Sequence, residues 1–121
     1  DAHIHRDRLG APASSWGQAG VLHLGVTHAP YTRVVSALAS AGSDLILAGH
    51  THGGQIGIPG GGAIITNCDI ARRYAKGLNR WEAPDGSQSW LHVSAGLGTS
   101  PYAKIRIATR PEASIIHVHP A

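Results

Sequence analysis

Two apolar runs of strand length, with a helix-spaced segment between them, constrain this chain more than any other feature. The first run is Val21-Leu22-His23-Leu24-Gly25-Val26-Thr27, and the second is Asp44-Leu45-Ile46-Leu47-Ala48, which stops at Gly49. Between them, Tyr31, Val34, Val35, Leu38 and Ala41 recur at the spacing of one helical face. Pro30 suits the first turn of that helix, where its missing N–H is no loss. Gly42 is a natural stop. Residues 21–48 therefore predict a βαβ unit with two buried parallel strands.

The remainder predicts antiparallel structure. Ala63-Ile64-Ile65-Thr66 reads as a short strand, and Asp69 to Lys76 as one or two helical turns closed by Gly77. Leu78 to Trp81 and Trp90 to Ser94 flank Pro84-Asp85-Gly86, a hairpin turn signal. Trp81 and Trp90 are expected to pack across that hairpin. Lys104 to Ile107 and Ile115 to Val118 predict two further short strands. The expected fold class is α/β, a βαβ unit followed by antiparallel strands.

Composition excludes several functions. A chain of 121 residues fits one domain. With 42% hydrophobic and 14% charged residues it is not a disordered polyelectrolyte. No apolar run approaches the roughly 18 residues of a membrane span. One cysteine, Cys68, rules out an internal disulfide framework and reads as a reduced, partly buried thiol. The net charge is +3 and the basic residues are scattered, which argues against a nucleic-acid partner. The absence of methionine and the start at Asp1 lead us to expect a piece of a longer protein.

The nine histidines carry the functional signal. Gly49-His50-Thr51-His52-Gly53-Gly54-Gln55 follows the second predicted strand directly, and His28 ends the first. Sites in open α/β sheets gather at the carboxyl ends of strands. Parallel neighbouring strands would bring His28, His50 and His52 to one edge. Imidazole suits Zn, Fe, Ni, Mn and Cu. Two histidines one residue apart in a glycine-flanked turn can serve two different ions, and Gly49, Gly53 and Gly54 let the backbone approach closely.

Gly49 to Gln55 resembles the last signature block, GHxH, of the calcineurin-like metallophosphoesterases. Val26-Thr27-His28-Ala29-Pro30 is similar to the single-His block that precedes it. Thr66-Asn67, Arg72 to Leu78, and Ser94-Ala95-Gly96-Leu97-Gly98-Thr99-Ser100 resemble a bacterial branch of that family. The resemblance implies a four-layer αββα sandwich, of which this chain would form the C-terminal half. It implies two divalent ions (Mn, Fe or Zn), with His28 and His50 on one and His52 on the other. A water or hydroxide bridging ions about 3.5–4 Å apart would hydrolyse a phosphate ester. Ligand histidines must be neutral, so activity is expected to fail in acid.

The family's earlier blocks, DxH, GDxx and GNH[DE], are expected in a missing N-terminal part. Asp1-Ala2-His3 spells DxH without a preceding strand and reads as a segment leading into the single-His block. Alone, residues 1–121 should therefore bind metal weakly and turn over little. A membrane anchor could lie in that missing part, leaving a cytoplasmic or a membrane-associated bacterial protein open. Unpaired strand edges would favour dimerisation or strand exchange.

Other residues carry blander readings. His5 is expected to be solvated, and His23 and His92 to be satisfied sheet residues. His117 and His119 read as one face of a terminal strand. Arg72 and Arg73 suit a phosphate contact or a basic helix surface; Arg73, Gly53 and Gly54 are the expected substrate-side residues, with the Gly96–Gly98 loop shaping the pocket. A second reading is a non-catalytic His-x-His metal module, a small cupin-like β-barrel. Such barrels want a Glu soon after the motif, whereas here the first is Glu82.

Overall fold

A computed structural model describes residues 20–60, 62–100 and 104–119; Asp1-Ala2-His3 and His5 lie outside them. The fold is mixed α/β. Strand β1 (Leu24–Val26) leads into helix α1 (Thr32–Ser40) and strand β2 (Leu45–Ala48), and β1 pairs parallel with β2. The βαβ unit is thus present. Two minimal strands, β3 (Gly57–Ile58) and β4 (Gly62–Ala63), form an antiparallel ribbon. Strands β5 (Gly77–Glu82) and β6 (Gln88–Val93) form the expected hairpin. The main sheet runs β1-β2-β6-β5.

Helix α1 starts two residues after Pro30, because Tyr31 caps it in an extended conformation at φ −61° and ψ 133°. Tyr31 offers no side-chain cap; the Thr32 amide instead donates to Asp69 Oδ1 at 2.8 Å. A carboxylate there satisfies an orphan amide and complements the helix dipole. Gly42, at φ 92°, ends the helix by donating to the Ala39 carbonyl. Val34, Val35 and Ala39 are the buried positions on α1.

The core lies between α1 and one face of the sheet. Val35 and Ala39 join Ile46, Ala48, Ile70, Trp81, Ala83, Leu91 and Val93 there. Register places Leu24, Val26, Leu78 and Trp90 on the opposite face, and all four are exposed.

Three expectations are corrected. First, β6 runs parallel to β2, so the second half is not a simple antiparallel meander. Second, the predicted strand over 63–66 shrinks to Gly62–Ala63, and residues 104–107 and 115–118 form no strand; an isolated bridge from Ile107 to Ile56 is what remains. Alternating apolar residues make a strand only where a partner and a packing surface exist, and Ile105 and Ile115 are 65% and 86% exposed. His117 and His119 are likewise exposed, on no strand face. Third, Trp81 and Trp90 do not pack on each other. Trp81 pairs with Ser89 and Trp90 with Arg80, which puts the two rings on opposite faces. Trp81 is buried against Tyr74, with centroids 5.1 Å apart, while Arg80 stacks on Trp90 at 3.9 Å.

Candidate metal centre

Topology gathers four connections at one edge of the sheet. Because β1, β2 and β6 are parallel, the chain leaves all three at that edge, and β5, antiparallel to β6, enters from it. The segments after β1, β2 and β6 therefore meet the segment before β5. Backbone bonds tie them together: Thr27 donates to Leu47, Gly49 to His28 at 3.0 Å, and Ser94 to Ala48.

His28 and His50 come together here as the sequence predicts. Their ring centroids are 5.0 Å apart and the planes meet at 63°. Imidazoles sharing one ion bind it through nitrogens about 2.0–2.1 Å away. His50 Nε2 lies 3.4 Å from the Asn67 carbonyl. A carbonyl can only accept, so Nε2 is the donor wherever this contact is a hydrogen bond. Ligand histidines are ordinarily oriented by such a carbonyl. His52, half-buried, forms no three-ligand group with the pair: among the described residues no cluster of three or more His, Cys, Asp or Glu side chains could hold an ion.

The loop that presents these rings is strained. His50, His52 and Gln55 have φ of 68°, 50° and 45°, and Asn67 across from them has 57°. Left-handed backbone costs a non-glycine residue about 1–3 kcal/mol and persists only where surrounding contacts enforce it. The enforcing contacts are visible. Thr51 is fully buried and donates to the Ala75 carbonyl at 2.6 Å, while accepting from the Gly53 amide. Gln55, also buried, accepts from the Ser100 amide at 2.9 Å. Gly53 sits at φ 65°, and a Cβ there would lie 2.6 Å from Thr109 Cγ2.

A cavity of about 510 Å3 adjoins this loop, lined by Gly53, Gly62, Ala63, Ala75, Ala108 and Thr109 together with Arg72, Arg73 and Lys76. Gly53 and Arg73, two of the three expected substrate-side residues, line it. Gly54 does not line it; a side chain there would run into Ala63 and the Ile65 carbonyl, so this glycine serves packing. Gly96 and Gly98 do not line it either. Their carbonyls accept from Arg106, which also donates to Ala95.

Two other described histidines belong to the sheet region. His23 Nδ1 lies 3.3 Å from Asp44 Oδ2, and the same oxygen accepts from the His23 amide. His92 is buried within β6. Burial pushes the Cys68 thiol above its ordinary value, and its Sγ donates to the Thr66 carbonyl. Thr51, Gln55, Asn67 and Arg106 are the residues that sequence reading missed as supports. A polar residue between two motif histidines was the available signal for Thr51; the others become visible only through long-range contacts. No protein-family model, curated protein or solved structure matches the chain.

Proposed function

We propose that the chain supplies the C-terminal histidine ligands of a two-metal phosphoesterase and takes part in hydrolysing phosphate esters. The observation that carries this reading is the His28–His50 pair, held by a strained turn at the carboxyl edge of a parallel strand pair. His28 and His50 would hold one divalent ion (Mn, Fe or Zn) and His52 a second. Such ions supply a reactive hydroxide at neutral pH and stabilise charge on phosphate oxygens. The chain's own residues do the positioning. The Asn67 carbonyl lies against the His50 ring, Thr51 anchors the turn between the two histidines, and Arg73 faces the adjoining cavity.

The fold supports the same reading. One face of the sheet is covered by α1 and the other presents exposed Leu24, Val26, Leu78 and Trp90. A sheet with one face for a helix and one left for a second sheet would suit half of an αββα sandwich. The helix and the parallel pairs disfavour the β-barrel module. Among the described residues no helix is long and apolar enough to cross a membrane.

The test is Mn2+-dependent hydrolysis of bis(p-nitrophenyl) phosphate by the full-length gene product that contains these residues. His50→Ala and His52→Ala should each abolish turnover and lower bound metal. Full activity and full metal content in both variants would overturn the reading.

A further inference from the structure

The cavity beside the histidine turn carries a charge pattern that the metal ligands do not explain. Among the described residues that line it, Arg72, Arg73 and Lys76 are cations and none is acidic. Three like charges around one concavity repel one another. An anion bound among them would offset that repulsion. The volume of about 510 Å3 falls within the range of about 300–1,000 Å3 typical of small-molecule sites. A single inorganic anion would leave most of it empty.

Arg73 is pre-positioned for such a ligand. Its guanidinium stacks 4.5 Å from the Tyr74 ring and donates to Tyr74 Oη at 3.1 Å. Tyr74 in turn meets the buried Trp81 edge-to-face. An aromatic stack rooted in the core therefore fixes an exposed guanidinium, reducing the entropy lost when it grips a ligand. The Lys76 stem passes close to Gly53: its Cδ lies 3.6 Å from where a Gly53 Cβ would be. Gly53 follows His52 directly in the chain, so one peptide separates the cationic cavity from a proposed metal ligand.

We infer that this cavity binds a second phosphate group of the substrate, distinct from the phosphorus that reacts, so that the substrate is a diphosphate or bisphosphate ester. The inference rests on the phosphoesterase reading for the word substrate; the anion site itself stands on Arg72, Arg73 and Lys76. A guanidinium fork matches phosphate oxygens two at a time, and Lys76 adds a compact third charge.

The test is calorimetric titration of the metal-free full-length protein with inorganic pyrophosphate and with inorganic phosphate, in chelator. Pyrophosphate should bind more tightly than phosphate. Arg73→Ala should weaken it about tenfold, and Arg72→Ala/Arg73→Ala further. Lys104→Ala, which removes an exposed charge outside the cavity, should leave it unchanged. Because Arg73→Ala truncates an exposed side chain, circular dichroism should match wild type. Arg73→Lys, keeping charge without the fork, should fall between the two. ADP and vesicles carrying diacylglycerol pyrophosphate separate a soluble from a lipid source: preference for either supports the inference, and binding of neither overturns it. Equal pyrophosphate affinity in wild type and Arg72→Ala/Arg73→Ala also overturns it, whatever the enzyme assay shows. Loss of hydrolysis in every assay with pyrophosphate binding retained would instead remove the phosphoesterase reading and leave the anion site.

Discussion

The four-stranded sheet with α1 and the turn over residues 49–55 are built on opposite principles. In the first, regular backbone is held by apolar burial: Val35, Ile46, Leu91 and Val93 are fully enclosed. In the second, consecutive residues adopt left-handed backbone and are held by polar struts from Thr51 and Gln55. The sheet lowers the free energy of the fold, while the turn raises it locally and keeps its shape because the sheet fixes both of its ends. Strain of that kind is tolerated where a geometry serves something other than stability.

Leu91→Ala should destabilise the protein by about 2–5 kcal/mol, the range for truncating an enclosed aliphatic side chain, as read by chemical denaturation. Thr51→Val comes next. It keeps the shape but orphans the buried Ala75 carbonyl, and should cost about 1–3 kcal/mol while loosening the histidine turn. If Thr51→Val leaves both stability and metal affinity intact, the strut has no role.

His50→Gly acts on the turn in the opposite sense. Glycine accepts φ near 68° without strain but adds freedom to the unfolded chain. Stability should therefore hold or rise by up to about 1 kcal/mol while metal binding is lost, the reverse of a core substitution. A clear destabilisation would mean that the turn is stabilising in itself.

The smallest effect concerns Asp85. Hydrogen bonds from Ser40 and Ser87 hold its exposed carboxyl below the ordinary value. A depressed value in the folded state contributes stability above the ordinary carboxylate range, and that contribution disappears as pH falls through it. The thermal midpoint of Asp85→Asn should lie slightly below wild type at neutral pH and converge with it below about pH 4.

Much of this was legible in the sequence. The βαβ unit was readable because Val34, Val35 and Ile46 follow clean periods, and the hairpin because Asp85-Gly86 marks its turn. His28 and His50 were readable as neighbours because parallel strands deliver their ends to one edge. Residues 104–118 misled because alternation of Ile and polar residues is only a potential for pairing, and no described strand accepts it beyond Ile56. The Asp69 cap on α1 and the Asn67 carbonyl beside His50 were hidden for another reason. Both are contacts between segments far apart in the chain, which no local pattern encodes.

The central claim is that His28 and His50 share an ion. It is tested most directly by calorimetric titration of Mn2+ into metal-free full-length protein, comparing wild type with His28→Ala, His50→Ala and the exposed His117→Ala. The account predicts that the first two each weaken Mn2+ binding by more than about tenfold and that His117→Ala matches wild type. Unchanged affinity in His28→Ala and His50→Ala would contradict it.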